Sequence, residues 1–412
     1  MIQAIRNEPG NVINVKKLVL ALFLVFLSIP FSHCFAQRLD IGVMRGFTVS
    51  SVVFTYGDGD YEFLSDSGSI CKLSKVDKIT LTRNGTKIQL SKNGSSMGNF
   101  SAVYIHEQKK NGHLTMQCLL PISKKVRKYM NDFRVHTEGA DKLKIINEIE
   151  LDNYLAGVIE SEGGGGKHLE YYKVQAVLSR TYALDHLTKH FKEGFQLCDE
   201  THCQAYLSMM RFTPAIRQAV QETNAIIMIG PDFKLADGFF FANCGGQTSE
   251  SDFVWNVSVP YCKSVRDTFC IHSKQAKWEK RIPKSKWQGY LVEQFGYPLN
   301  DSILGSSLFY FDQPVRAAFY ISPHLGIPLR DLREEFKLKS TWFSCYPEGD
   351  ELVLKGHGFG HGVGLCQEGA MRMAQLGFKY EQILKFYFTG IELFDYSLWT
   401  FLRQRSDMEP GL

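Results

Sequence analysis

The chain reads as an α+β protein: mixed helices and short antiparallel strands, with a β-rich unit at the N-terminal side. Three observations predict this. Short alternating segments with Asn-Gly and Gly-Ser breaks fill residues 37–145, apolar spacing turns helical at Leu151, and glycine-broken strands alternate with helices from there to residue 396. With 412 residues, 44% of them hydrophobic and 22% charged, the chain can bury a sizeable core.

Arg6, Lys16 and Lys17 precede an apolar run from Leu18 to Ile29, Pro30 ends it, and Cys34-Phe35-Ala36 supplies small residues for cleavage. This is the layout of a secretory signal peptide over residues 1–36. The run is too short to span the roughly 30 Å of a bilayer core as a helix, which disfavours the alternative of an uncleaved anchor. Export to a periplasm or cell envelope is therefore expected. Three basic residues and one acidic one leave with the peptide, so the mature chain holds 44 basic and 42 acidic residues. That is too balanced to argue for a nucleic-acid partner, and none is expected. Nine of the ten cysteines remain, an odd number, so at least one thiol is free or bound to something other than a second cysteine.

Lys78–Thr82 and Lys87–Leu90 flank Asn84-Gly85, a dipeptide that accepts the positive φ of a tight hairpin. Leu151, Tyr154, Leu155, Val158 and Ile159 mark a helix that Gly163–Gly166 stop. Further helices are expected over about 169–190, 214–222, 280–296, 328–337, 367–376 and 380–388, with a tail from 397 to 412.

Helical phase separates two neighbouring glutamates. At roughly 100° per residue from Leu151, Glu160 falls near 180°, opposite the apolar stripe, and is expected in solvent. Glu162 falls near 20°, within the stripe. A carboxyl group at the edge of a buried face has its pKa raised by desolvation, which suits a general acid. Fraying of the helix at Ser161 is the competing reading, and it leaves Glu162 exposed.

In Gly356-His-Gly-Phe-Gly-His-Gly-Val-Gly364 glycine takes every second position. Read as a strand, one face is bare backbone and the other shows His357, Phe359, His361 and Val363. Core histidines in close strand packing are the alternative to a binding role. His190, Cys198, His202 and Cys203 are the right donor types for a closed tetrahedral Zn²⁺ site, and a Cys198–Cys203 disulfide accounts for the cysteines equally well. Cys262 and Cys270 also lie close enough in sequence for a local disulfide.

Taken in order, these pieces resemble the stage II sporulation protein D (SpoIID/LytB) family. The match runs from about Asn147 to Phe394. It rests on Leu151–Ile159 with Glu162, on Lys173–Ala183 with its Arg-Thr-Tyr-Ala, and on Asp199, Thr201, Gln204 and Tyr206. Asn243–Thr248 with Val254-Trp255, and Gly356–Ala370, complete it. The resemblance implies a domain over 146–396 that cleaves peptidoglycan glycan strands as a lytic transglycosylase, leaving 1,6-anhydromuramyl ends, with Glu162 as the catalytic residue. It makes Asn243, His357, His361 and Gln367 candidates to hold the sugar. It points to His190, Cys198, His202 and Cys203 as a structural zinc set, while the chemistry itself needs no cofactor. Other members are described as enhancers of a wall amidase. The alternative is therefore a non-catalytic peptidoglycan-binding protein with an amidase partner. Two positions depart from the family: Gly163-Gly164 replace a Met-Pro, which is expected to loosen the loop beside Glu162, and Cys366 stands where serine is common. Arg180 has no role that its helix position decides.

Overall fold

The computed structural model describes residues 37–207 and 214–408, so the expected signal peptide lies outside the described residues. Twelve strands come first: β1 (Arg38–Val43), β2 (Ser51–Asp58), β3 (Tyr61–Ser65), β4 (Gly68–Leu73), β5 (Lys78–Asn84), β6 (Lys87–Lys92), β7 (Ser95–Phe100), β8 (Ala102–Glu107), β9 (His113–Leu120), β10 (Val126–Tyr129), β11 (Asp132–Glu138) and β12 (Lys142–Glu150). β13 (Leu197–Cys198) joins them from the later region, parallel to β1. One sheet has the order β13-β1-β12-β11-β8-β3-β4 and the other β10-β9-β2-β5-β6-β7. Alternation builds the interior between them. Ile79 and Leu81 on β5, Ile88 and Leu90 on β6, and Val103 and Ile105 on β8 are all buried. Phe54 of one sheet meets Phe63 and Phe133 of the other edge-on, with ring centroids 5.9 and 5.7 Å apart. The expected hairpin is present: Asn84 pairs with Lys87 across Gly85, whose φ is +62°.

β12 runs on into α1 (Leu151–Gly163) without a linker, and α2 (Leu169–Asp185) and α3 (Pro214–Glu222) pack against it. The buried apolar residues of the two sheets and of these helices form one continuous cluster, from Leu39 to Trp399. α2 is shorter than its periodicity predicts. It ends at Asp185, and His190 lies in the following turns.

β14 (Ile226–Ile229) pairs with a late strand, and β15 (Phe240–Phe241) precedes an inserted unit. Within that unit β16 (Lys277–Pro283), β17 (Phe343–Glu348) and β18 (Glu351–His357) form an antiparallel sheet in the order β16-β18-β17. α4 (Lys284–Phe295) and α5 (Leu329–Glu335) complete a second core around Trp287. The expected helix over 280–296 therefore begins only at Lys284. Pro283 is its N-cap, and the residues before it alternate as strand against β18. β19 (Leu365–Cys366) pairs with β15 and is followed by α6 (Gln367–Gln375), α7 (Tyr380–Tyr387) and β20 (Glu392–Asp395), the partner of β14. The segment expected as a tail is largely α8 (Tyr396–Met408). No helix among the described residues is long and apolar enough to cross a membrane.

The closing glycine segment is a strand only as far as His357. Gly358, Gly360, Gly362 and Gly364 all have positive φ, between +77° and +116°, so the chain winds rather than extends. The glycines are required by space as well as by φ. A Cβ on Gly364 would stand 2.3 Å from the Phe239 carbonyl oxygen. Gly364→Ala is expected to lose about 2–5 kcal/mol of stability, from left-handed strain plus overpacking. A melting temperature equal to wild type would refute this account of the segment.

Candidate functional site

α1 continues through Gly163, so Glu162 is inside a formed helix. Its side chain is half-buried, and one carboxylate oxygen accepts the Ala205 N–H at 2.9 Å. Burial raises the pKa of this carboxyl above its ordinary value, and the Ala205 bond opposes that only in part. One residue earlier, Ser161 Oγ accepts the Leu207 N–H at 3.0 Å. Residues 205–207 are thus clipped across the end of α1 at two points. The glycine run is tied as well. Tyr172 donates its hydroxyl to the Gly164 carbonyl at 3.1 Å and accepts the Lys167 N–H at 3.0 Å.

Glu160 is only 8% exposed, which corrects the expectation of a solvated side chain. The phase argument assumed one buried face, but α1 has β12 on one side and α2 and α3 on others, so its far face is covered too.

Sequence reasoning missed Tyr171. This buried residue of α2 feels both the Glu162 carboxylate and the Gln367 side chain at its hydroxyl, and its ring lies against Gly163. The Tyr171 hydroxyl makes no hydrogen bond among the described residues, and its helix packs on α6, which begins at Gln367. Gln367 is the first residue of α6, and its neighbour Glu368, also missed, accepts Asn243 Nδ2 at 2.5 Å and the Ser273 hydroxyl. Glu368 could have been noticed as the one carboxylate in the closing motif.

The four candidate sugar ligands differ in what they have left to offer. Gln367 is half-buried beside Tyr171. Asn243 is fully buried and internally committed: Nδ2 bonds Ser273 and Glu368, and Oδ1 accepts the Gly245 N–H at 2.6 Å. His361 donates from Nε2 to the Phe240 carbonyl at 3.0 Å and accepts the Val363 N–H at Nδ1. Burial pushes its pKa down to about 4, so the ring is neutral with both nitrogens occupied. It packs between Phe241 and Trp255. His357 is half-buried and lies against Trp342, with ring centroids 4.9 Å apart. That pair has ring faces and the His357 nitrogens to present, while Trp342 Nε1 is spent on the Gln313 carbonyl at 2.9 Å. Asn243 and His361 instead shape the loops that carry Gln367 and His357.

His190, Cys198, His202 and Cys203 converge, with one ligand atom of each within 4.8 Å of all the others. Cys203 Sγ is 3.4 Å from His190 Nε2 and 3.9 Å from His202 Nδ1, and Cys198 Sγ is 3.8 Å from His202 Nδ1. A tetrahedron with Zn–N near 2.0 Å and Zn–S near 2.3 Å has edges of roughly 3.3–3.8 Å, so the donor set fits that ion. His190 donates its other nitrogen to Glu193 at 2.6 Å, and Arg45 holds Glu193 in turn, the outer arrangement that fixes a ligating imidazole. Both cysteines are free thiols. Cys270 likewise turns away from the local disulfide expected with Cys262: the sulfur facing it is that of Cys244.

A family model described as stage II sporulation protein matches residues 139–229. An uncharacterized protein of Brachyspira hyodysenteriae is 30% identical over 277 residues, covering 66% of this chain and 73% of its own. The chain belongs to the SpoIID/LytB family. Stage II sporulation protein D of Bacillus subtilis is 26% identical over 268 residues, 60% of this chain and 75% of that one. The amidase enhancer of Bacillus subtilis is 25% identical over 295 residues, 59% of this chain and 40% of that one. Its role is accordingly a peptidoglycan-related one.

Several SpoIID/LytB motif residues turn out to be fasteners. Asp199 is buried, accepts the Met44 N–H at 2.8 Å and pairs with Arg127 at 3.0 Å, which ties the Cys198–Cys203 loop to the strands. Tyr206 donates to Asn147 Oδ1, and Tyr154 donates to Gln204 Oε1. Arg180 is 1% exposed and donates to the carbonyls of Val220, Thr223 and Ile226 at the end of α3, so it caps that helix.

Proposed function

We propose that this SpoIID/LytB protein is an exported lytic transglycosylase acting on peptidoglycan glycan strands. The observation that carries the reading is Glu162: a half-buried carboxyl group with raised pKa, positioned by the Ala205 N–H, in the last turn of α1. A glycosidase that uses water needs a second carboxylate to activate it or to act as nucleophile. A transglycosylase needs one, because the substrate's own muramyl C6 hydroxyl attacks. Glu162 protonates the glycosidic oxygen, that bond breaks, and the resulting carboxylate takes the C6 proton as the 1,6-anhydro ring closes. Gln367 and the His357–Trp342 pair are placed to hold the sugar.

His190, Cys198, His202 and Cys203 hold a zinc ion whose part is structural. Cys203 precedes Ala205 by two residues, so ordering this loop orders the donor that aims Glu162. The ion supplies no step of the reaction.

The second reading is a non-catalytic wall-binding protein that stimulates an amidase. It is favoured by the matched amidase enhancer and by Gly163-Gly164 beside the glutamate. Release of soluble glycan from strands stripped of stem peptides, with no amidase present, decides between them. Release supports the enzyme. No release alone, but faster peptide removal when an amidase is added, supports the enhancer.

Glu162 must begin the cycle protonated. Because burial raises its pKa, kcat/KM is expected to fall on the alkaline side with a midpoint above the ordinary glutamate range. A profile that stays flat as pH rises through neutrality and beyond would show that no such acid is used.

A further inference from the structure

A second donor cluster lies beneath the closing motif. Cys244, Asp267, Cys270 and Cys366 come from three separate segments, are each no more than 1% exposed, and place one ligand atom each within 4.8 Å of all the others. Cys244 Sγ is 3.2 Å from both Cys270 Sγ and Asp267 Oδ2, so these side chains part by only about 0.3–0.6 Å to reach the edges of a tetrahedral site. Cys366 Sγ accepts two backbone N–H groups, from Cys244 at 3.2 Å and Gly369 at 3.4 Å, as metal-bound thiolates do.

Two charges make the cluster more than a group of core thiols. Asp267 is fully buried and no lysine, arginine or histidine among the described residues pairs with it. Tyr387 donates to its Oδ2 at 2.8 Å and the Phe269 N–H to its Oδ1. Arg316 is buried nearby and bonds only neutral acceptors: the Cys244 and Gln247 carbonyls and the Thr341 hydroxyl. A divalent ion held by three thiolates and a carboxylate leaves two negative charges, and Arg316 offsets one of them. Without a cation the buried carboxylate has hydrogen-bond donors but no positive charge paired with it among the described residues.

We propose that Cys244, Asp267, Cys270 and Cys366 form a second metal site for a thiophilic divalent cation of the zinc type, separate from the His190 site. Its place gives it a purpose. Cys244 follows Asn243 and Cys366 precedes Gln367, so one ion joins the two loops that frame the sugar candidates. Serine at the Cys366 position removes one thiolate ligand from such a site. Three soft sulfurs favour zinc over magnesium or calcium, and the carboxylate favours it over a copper(I) thiolate cluster.

The full chain, purified under reducing conditions, tests this by zinc released to a colorimetric chelator when the thiols are blocked with a mercurial. Two equivalents per chain are expected in the wild type. Cys270→Ser is expected to lose one equivalent, and Cys203→Ser the other. Cys366→Ser, the mildest change, is expected to keep the fold by circular dichroism and to give up one ion more readily to chelator. A Cys270→Ser protein with the wild-type zinc content overturns the proposal. So does a Cys244–Cys270 disulfide in a non-reducing peptide map of wild type with a single equivalent of zinc.

Discussion

Glu162→Gln is expected to reduce glycan cleavage by about 100- to 10,000-fold, the range typical of losing a general acid–base group. Glutamine has nearly the same shape and can still accept the Ala205 N–H, so the placement of the side chain survives while its proton chemistry is lost. Stability supplies the control. The pKa of Glu162 is raised in the folded state, so any stability tied to its protonated form is present at low pH and lost as pH rises through that raised value. At neutral pH the amide is therefore expected to melt no lower than wild type. Equal activity in the two proteins would remove Glu162 from the mechanism. A lower melting temperature in the variant would show instead that the carboxylate helps to hold the fold.

The second large effect concerns the His190 site. Chelation, or Cys203→Ser, is expected to cost on the order of 5 kcal/mol or more, since structural zinc sites bind with about 10–16 kcal/mol and that energy is coupled to folding. The damage should reach the active end of α1. The loop that carries Cys198–Cys203 continues directly into Ala205 and Leu207, the donors to Glu162 and Ser161. Partial chelation is thus expected to reduce activity before global unfolding, and zinc restored under reducing conditions to recover both. Thermal melting with and without chelator reads this. An unchanged melting temperature together with full metal loss would leave the four residues without the role assigned to them.

What sequence made legible follows from where a single periodicity decides the outcome. α1, α2 and α6 begin at the residues that their apolar spacing predicts, and the Asn84-Gly85 hairpin follows from turn chemistry. Glu162 was found by phase because it lies on the face that packs. Glu160 failed the same test because α1 is covered on several sides, and a one-face argument cannot register that. The strand before Pro283 reads as helix in sequence because its alternation is interrupted by charged residues and becomes clear only against β18. Gly358–Gly364 alternate like a strand, yet their positive φ values make a winding segment. Glycine permits both, and the neighbouring Phe239, Phe241, Asn243 and Arg316 select one. Side-chain roles were the least legible. Asn243 and His361 are polar residues in the expected motifs, but their hydrogen bonds are spent inside the fold, each on one partner over a hundred residues away and others nearer in sequence. The Cys244, Cys270 and Cys366 thiols meet through topology alone, and no local spacing announces them.

In the reaction proposed for Glu162 the substrate's own hydroxyl replaces water. The mass of the disaccharide released by wild type from glycan strands stripped of stem peptides tests it most directly. A product lighter by one water than the hydrolysed sugar, with no reducing muramyl end, is the predicted result. A product carrying the added water, or no product at all from correctly folded, zinc-loaded protein, would contradict it.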